Sequence, residues 1–153
     1  MMWKRIARRR YERALGALGR GDLDAVLGQF AHDVRFDFAG DSPLGTALRS
    51  RDAVKAWFER LFRLLPGARF EPRDVVVDGT PWDFRIAARV LIRSSVAGAP
   101  YENDFCQFLR FRWGRVVADW VLEDTQRFER ACARLLAAGV EEAAARPLGG
   151  PEG

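Results

Sequence analysis

The side chains best suited to chemistry lie between residues 69 and 123, where apolar and polar residues alternate. Such alternation predicts strands with one buried face. Tyr101, Asn103 and Gln107 fall among the apolar neighbours on that face, and Asp119 joins them if it points inward. Desolvation would raise the pKa of the Asp119 carboxyl and suit it to proton transfer, while the two amides could bind a carbonyl or hydroxyl group. The alternatives are an Asp119 at the pocket mouth or on the outer face, and amides that satisfy each other or a buried water.

The side to which Asp119 points depends on the turn at Trp113-Gly114-Arg115. A three-residue loop turns the odd-numbered residues of the last strand inward, Asp119 among them. A two-residue loop turns the even-numbered residues inward instead, Trp120 among them. The difference matters because a shift of one residue moves every side chain of a strand to the other face.

The composition excludes several other kinds of site. The only histidine is His32, so a multi-histidine metal site is excluded and a nucleophile–His–acid triad is disfavoured. Cys106 and Cys132 lack the short spacing of a metal knuckle, and we interpret both as reduced core residues. We therefore expect neither a metal nor a cofactor.

The charge of the chain is unevenly distributed. The 153 residues carry a net charge of +4, but residues 1–13 hold six basic residues and one acidic residue, and the rest of the chain sums to −1. We interpret the basic stretch as the solvated face of one helix, with contact to an acidic partner as the alternative. No apolar run reaches the roughly 18–20 residues that span a membrane, and the N-terminus lacks a secretory signal. We expect a cytoplasmic protein that binds neither nucleic acid nor membrane.

The elements that must position these residues follow an α+β order. Helical spacing predicts three helices before Pro66, the second capped by Asp22 and the third by Ser50, with a short strand near residues 34–38 between them. Asp124 or Thr125 begins a C-terminal helix. The strands between the third and the last helix are predicted near residues 69–78, 83–96, 101–113 and 115–123.

A long curved antiparallel sheet with three N-terminal helices on its concave side, and an added C-terminal helix, forms a cone. Phe36 and Phe38 point the same way into it. A hairpin near residues 97–100 would pair Val90 with Gln107 on the concave face, and would place Arg93 across from Asp104 on a charged outer face. We expect one domain over residues 1–145 and a flexible tail over residues 146–153.

Four stretches resemble the nuclear transport factor 2-like superfamily and, within it, the SnoaL-like branch, which is related to polyketide cyclases and ketosteroid isomerases. They are "GDLDAVLGQFAHDVRFDFAGDSPLG", "DAVKAWFERLF", "YENDFCQFLRFRWGRVV" and "LEDT", in the family's order over roughly residues 8–130. The resemblance implies a cone-shaped fold with a ligand cavity and a homodimer formed through the outer face of the sheet. The family's functional acid on the last strand matches the odd-numbered residues, which favours an inward Asp119.

The catalytic residues of these relatives do not carry over. The ketosteroid isomerase base falls on Phe38, its tyrosine on Ala14 and its acid on Gln107, of which only Gln107 can donate a hydrogen bond. The Asp–Arg–Asp set of limonene epoxide hydrolases falls on apolar residues. The acid of SnoaL-like cyclases falls on Val121, two residues after Asp119.

The sequence therefore predicts a SnoaL-like domain that binds a small apolar or ring-containing molecule. In the first hypothesis it is a cofactor-free isomerase, cyclase or hydratase in which Asp119 transfers a proton and Gln107 and Asn103 orient the substrate oxygen. The alternatives are a non-catalytic binding module and a protein-interaction module that uses the outer sheet and the basic first helix. The remaining residues expected around the ligand are Tyr101, Phe36, Phe38, Trp57, Val90 and Val121.

Overall fold

The computed structural model describes residues 1–149 and shows helices against the concave face of one sheet. The helices are α1 (Met2–Gly19), α2 (Leu23–Leu27), α3 (Arg51–Leu64) and α4 (Thr125–Ala137), with a 3₁₀ turn at Glu141–Ala144. The strands are β1 (Phe30–Phe38), β2 (Thr46–Leu48), β3 (Arg69–Thr80), β4 (Asp83–Val96), β5 (Ala99–Arg112) and β6 (Arg115–Glu123).

The six strands form a single curved sheet in the order β2-β1-β6-β5-β4-β3. This confirms the predicted α+β cone. One pairing differs from an all-antiparallel sheet, because β1 lies parallel to β6. The short strand β2, which the sequence pattern did not indicate, continues the sheet at the far side of β1. None of the helices within residues 1–149 is both long and apolar enough to cross a membrane.

The helix starts follow the predicted capping residues. The side chains of Asp22, Ser50 and Asp124 each accept a hydrogen bond from the backbone N–H three residues later, at 3.2, 3.2 and 3.1 Å. Such bonds satisfy N–H groups that the first turn of a helix leaves unpaired. They set the first residues of α2, α3 and α4, and through α3 they set the position of Trp57 above the sheet.

The register between β4 and β5 differs from the prediction by two residues. The turn contains only Ala97 and Gly98, both in the left-handed region with φ of +49° and +78°, which makes a tight two-residue hairpin. Val90 consequently pairs with Phe105 instead of Gln107. A shift of two residues preserves the side to which each residue points, so the predicted faces remain correct.

The same shift changes the ion pairs on the outer face. Arg93 lies across from Glu102, whose carboxylate accepts a hydrogen bond from it at 2.9 Å. The predicted pairing of Arg93 with Asp104 is therefore wrong. Asp104 lies 3.6 Å from Arg89 instead.

A β-bulge in β6 decides the orientation of Asp119. The loop between β5 and β6 has two residues, Trp113 and Gly114, and alone it would turn the even-numbered residues of β6 inward. The pairing skips Val117, however, and this extra residue returns the odd-numbered residues to the concave face. Asp119 is 2% exposed and Trp120 is 40% exposed. The predicted face was right, but the predicted three-residue loop was wrong.

Two further sequence predictions concern the cysteines and the C-terminal tail. Cys106 is exposed on the outer face, so its assignment to the core was wrong, whereas Cys132 on α4 is buried. Of the predicted tail over residues 146–153, the part from residue 150 onward lies outside the described residues. The backbone carbonyls of Arg146 and Leu148 accept hydrogen bonds from Arg60 and Thr46.

Substitution of Gly45 tests the close packing of the loop that joins β1 to β2. A Cβ atom at this position would overlap the carbonyl oxygen of Gly40. We expect Gly45→Ala to lower the free energy of unfolding by about 1–3 kcal/mol, because the backbone must move apart. Urea unfolding of the purified variant measures this loss.

Gly21→Ala, in the turn between α1 and α2, is the control for this substitution. Gly21 has a φ of +75° but open space around its Cβ position, so the substitution introduces backbone strain without overlap. We expect a loss of about 1 kcal/mol. A Gly45→Ala variant as stable as the unsubstituted protein would contradict the predicted overlap.

Candidate functional site

The concave side of the sheet holds a small cavity made of two neighbouring lobes, each with a volume of about 60 Å³. The first lobe lies between α1, α2 and the inner faces of β5 and β6, and the second lies between α3, β1 and β6. Leu15, Leu18, Phe58, Gln107 and Asp119 line both lobes. The Asp119 carboxyl therefore lies where the two lobes meet.

Three polar side chains from three different elements form a hydrogen-bonded chain at this junction. The amide nitrogen Nε2 of Gln107 on β5 lies 3.0 Å from each carboxyl oxygen of Asp119 on β6. The Tyr11 hydroxyl on α1 donates to Oε1 of the same amide at 2.7 Å. Because the amide oxygen is occupied by Tyr11, the amide nitrogen is held toward Asp119.

The electrostatics of Asp119 follow from its burial. Desolvation raises the pKa of the carboxyl to about 7, the hydrogen bond from Gln107 opposes this rise, and the negative charge of Asp37 adds to it. Burial, and secondly the Asp119 charge, raises the pKa of Tyr11 well above its usual value. Near pH 7 Tyr11 is therefore a neutral donor, while Asp119 can both accept and release a proton.

Aromatic side chains form the wall of the second lobe. The ring centres of Phe36 and Phe38 lie 4.7 and 5.2 Å from that of Trp57. The indole N–H of Trp57 donates to the backbone carbonyl of Leu44 at 2.7 Å, which fixes the ring against the β1–β2 loop. These rings exclude water from one side of Asp119.

A second polar cluster lies at the other end of the second lobe, around Glu123. Glu123 is the last residue of β6 and lines the lobe. The amide nitrogen of the fully buried Asn103 lies 3.3 Å from Oε2 of Glu123 and 3.0 Å from the Tyr101 hydroxyl. Burial, and secondly the charge of Asp124, raises the pKa of Glu123 to about 8.

The structure brings most of the predicted site residues to the cavity. Asp119 and Gln107 line both lobes, and four further predicted residues line the second lobe, namely Phe36, Phe38, Trp57 and Val121. Val90 is buried in the core. Tyr101 and Asn103 are also buried, and they reach the cavity only through Glu123.

Sequence reasoning missed Tyr11 and Glu123. Tyr11 belongs to the regular apolar stripe of α1, where an aromatic residue is expected to be part of the core. Glu123 directly precedes the capping residue Asp124, and it was not distinguished from the charged residues of the helix start. Its odd number on β6 was the available signal, because it places Glu123 on the same face as Asp119.

The described residues bring together no group of three side chains that could hold a metal ion. Cys132 lies near Glu123, but burial raises the pKa of its thiol to about 11, with the Glu123 charge adding to the effect. The thiol is therefore protonated at neutral pH. The chemistry available in this cavity is proton transfer and hydrogen bonding by Asp119, Gln107, Tyr11 and Glu123.

The comparisons with known proteins agree with this architecture. A family model described as the SnoaL-like domain matches residues 9–119. The chain belongs to the SnoaL-like family. This family lies within the nuclear transport factor 2-like superfamily, as the sequence resemblance predicted. A search among curated protein sequences finds no match.

Several solved structures share the fold of this SnoaL-like protein. PrhC from Penicillium brasilianum is 20% identical with a TM-score of 0.78, and the match covers 92% of this chain and 95% of that one. IdmH from Streptomyces antibioticus, named as a candidate polyketide cyclase, is 21% identical with a TM-score of 0.67, over 83% and 96%. TerC, co-crystallised with polyporic acid, is 18% identical with a TM-score of 0.68, over 80% and 95%.

The two buried carboxyls should make the stability of the folded protein depend on pH. A carboxyl whose pKa is higher in the folded than in the unfolded protein binds more protons when folded, so folding is favoured at low pH and this contribution is lost as pH rises. For Asp119 the loss occurs between about pH 4 and 7, and for Glu123 between about pH 4.5 and 8. We expect Asp119→Asn to be more stable than the unsubstituted protein by about 2–4 kcal/mol at pH 8.

The same comparison at pH 4 supplies the contrast, because both proteins are then neutral at residue 119 and the difference should largely disappear. Thermal and urea unfolding at both pH values measure it. Asp33→Asn, which removes an exposed carboxyl on β1, is the matched control. A constant difference between Asp119→Asn and the unsubstituted protein across this range would contradict the buried titration.

Proposed function

We propose that this SnoaL-like protein binds a small apolar, ring-containing molecule in the cone cavity and converts it by cofactor-free acid–base catalysis with Asp119 as the proton-transfer group. The observation that carries the proposal is the buried Asp119 carboxyl at the junction of two apolar lobes, held by Gln107 and Tyr11. A group with a pKa of about 7 can exchange a proton in both directions at neutral pH.

The proposed reaction moves a proton between positions on the substrate. The Asp119 carboxylate takes a proton from a carbon beside a carbonyl group, and the resulting carboxyl returns it to another atom of the same molecule, so that no oxidant or reductant is consumed. Gln107 and Tyr11 are positioning residues, since their hydrogen bonds are directed to Asp119 and to each other. The aromatic wall keeps water away from the exchanging proton.

The size of the cavity restricts the substrate. A volume of about 60 Å³ per lobe is well below the roughly 150 Å³ of a cavity that holds a benzene ring. Leu15, Leu18 and Phe58 separate the lobes and contribute to both. Binding of a ring system therefore requires these side chains to move apart, and it favours flat substrates.

The relatives in fold support a ring-containing ligand without identifying it. TerC was crystallised with polyporic acid, and IdmH is named as a candidate polyketide cyclase. Both are less than 25% identical to this chain, so they are similar to it in fold only. They support the proposal because proteins of this fold are described together with such ring-containing compounds. The site residues of this chain, and above all Asp119, carry the proposal that it acts on one.

Deuterium exchange tests the proton transfer without knowledge of the natural substrate. 2-Tetralone is a small ring ketone with exchangeable protons beside its carbonyl group. We expect the protein to speed their replacement by deuterium in D₂O, and Asp119→Asn to reduce this acceleration by about 10²–10⁴-fold. Proton NMR follows the loss of signal, and the accelerated rate should rise through about pH 7 as Asp119 ionises.

Asp33→Asn is again the control and should exchange 2-tetralone as fast as the unsubstituted protein. An Asp119→Asn variant with full activity would contradict the role of Asp119. If the protein binds 2-tetralone but does not accelerate exchange, the non-catalytic binding module is favoured instead. Ligand retained through purification, detected by native mass spectrometry, would support that alternative.

We also propose that two copies of the chain associate through the outer face of the sheet. Phe108 on β5 is 55% exposed, and its ring centre lies 5.7 Å from that of the half-exposed Trp120 on β6. Leu122 and Val76 are exposed on the same sheet. A group of exposed apolar side chains on one face is typical of an association surface.

Analytical ultracentrifugation tests this association. We expect the protein to sediment as a dimer at micromolar concentration and the double variant Phe108→Ser/Trp120→Ser to sediment as a monomer. Trp113→Ser is the matched control, because Trp113 is an 80% exposed aromatic residue in the β5–β6 turn and not on a strand of the sheet. A monomeric unsubstituted protein, or a double variant that remains dimeric, would contradict the proposed surface.

A further inference from the structure

Glu123 is a buried carboxyl that the proposed proton transfer does not use. It is 9% exposed, lines the second lobe and lies four residues after Asp119 on the same face of β6. Along a strand this separation is about 13 Å between Cα atoms. The cavity therefore has one carboxyl where its lobes meet and another at the far end of the second lobe.

The hydrogen bonds around Glu123 leave one oxygen unsatisfied. The Asn103 amide nitrogen carries two hydrogens but has three acceptors, at 3.0 Å for the Tyr101 hydroxyl, 3.1 Å for the Asp124 carbonyl and 3.3 Å for Oε2 of Glu123. Oε1 of Glu123 is buried and has no hydrogen-bond partner among residues 1–149. An unpaired buried polar atom is costly, so its persistence calls for a partner outside the chain.

The protonation state of Glu123 determines what that partner would be. Burial raises the pKa of this carboxyl to about 8, so near pH 7 it is mostly neutral. A neutral carboxyl carries one O–H group. Oε2 faces the Asn103 amide, which is a donor, whereas Oε1 faces no donor, so an O–H group is best placed on Oε1, where it can donate to an oxygen acceptor.

We propose that Glu123 forms a second ligand subsite, at which its neutral carboxyl donates a hydrogen bond to a carbonyl or hydroxyl oxygen at the end of the ligand opposite Asp119. This inference rests on the proposed function, since it assumes a ligand in the cavity. It adds a ligand class, namely flat apolar molecules with an oxygen at each end. Glu123 acts here as a binding group, and no covalent step is assigned to it.

The surface between the two carboxyls matches such a ligand in polarity. Val121 is the inward residue between Asp119 and Glu123 on β6, and Phe36, Phe38 and Trp57 line the same lobe. Gln107 pairs with Val121 across the sheet, but its amide is directed to Asp119, so the polar groups lie toward the two ends and the surface between them is apolar. Side chains on one face of a strand stand roughly perpendicular to it, so the two carboxyls lie about as far apart as their Cα atoms. Two hydrogen bonds of about 2.7 Å subtracted from about 13 Å leave about 8 Å between the ligand oxygens, which is close to the span of two fused rings.

Two naphthols with matched rings test the subsite. 2-Naphthol has one hydroxyl group, and 2,6-dihydroxynaphthalene has one at each end. By isothermal titration calorimetry near pH 7, we expect the dihydroxy compound to bind the unsubstituted protein about 5–20-fold more tightly. Glu123→Met, which cannot donate, should reduce this ratio to about one, whereas Glu123→Gln, which retains an N–H donor, should keep most of it.

Glu102→Gln, an exposed outer-face substitution, is the matched control and should leave the ratio unchanged. Thermal unfolding verifies that each variant is folded. If Glu123→Met does not fold, the subsite is tested by the affinity ratio of the two naphthols in Glu123→Gln and by carbon-13 NMR of the unsubstituted protein. The Glu123 carboxyl resonance should move with the dihydroxy compound and stay in place with 2-naphthol.

The outcomes separate this subsite from the proposed function. Equal affinity of the two naphthols for the unsubstituted protein, a ratio preserved in Glu123→Met or a ratio lost in folded Glu123→Gln would overturn the subsite while leaving Asp119 and its exchange reaction intact. Failure of both naphthols to bind would overturn the subsite and count against a ring-binding cavity. A preserved ratio together with no deuterium exchange would uphold the subsite and overturn only the catalytic step.

Discussion

The burial of the Asp119 carboxyl is the constraint on which the rest of the site depends. Water would stabilise the charged form of this group, and the apolar lobes do not. Gln107 and Tyr11 replace only part of that hydration, which is why the pKa stays near 7 instead of returning to its usual value. The fold accordingly holds a less stable arrangement than an apolar residue would give, and stability lost in this way is typical of a site kept for chemistry.

That burial depends in turn on a single extra residue. Tight turns such as the one at Trp113-Gly114 fix the register of a hairpin, and this turn alone would have placed Trp120 in the cone and Asp119 outside it. The bulge at Val117 reverses the outcome over the rest of the strand. The bulge therefore places Asp119 on the inner face of β6 and Trp120 on its outer face. In this way it affects both the cavity and the proposed association surface.

Much of the fold could be predicted from the sequence because its signals are local. Capping residues such as Ser50 and the change from helical to alternating spacing act within a few residues, so they identified the four α-helices and most of the strands. The bulge could not be predicted, since it arises from how β5 and β6 pair. Gln107 and Asp119 were recognised as polar residues on an apolar face, whereas Tyr11 was missed because its contact joins residues 96 apart in the chain.

Glu123 shows how the site departs from the pattern of its family. The resemblance to SnoaL-like cyclases places their acid at Val121, but here that residue is apolar and the inward residues before and after it, Asp119 and Glu123, are acids. Each lies about 6–7 Å along the strand from the matched position. An apolar residue between two buried carboxyls cannot bind an oxygen, so the middle of a ligand meets only carbon there. Under the proposed function, a ligand would meet the two carboxyls with oxygens at its ends, which makes the spacing of those oxygens, more than overall shape, the property for which such a cavity would select.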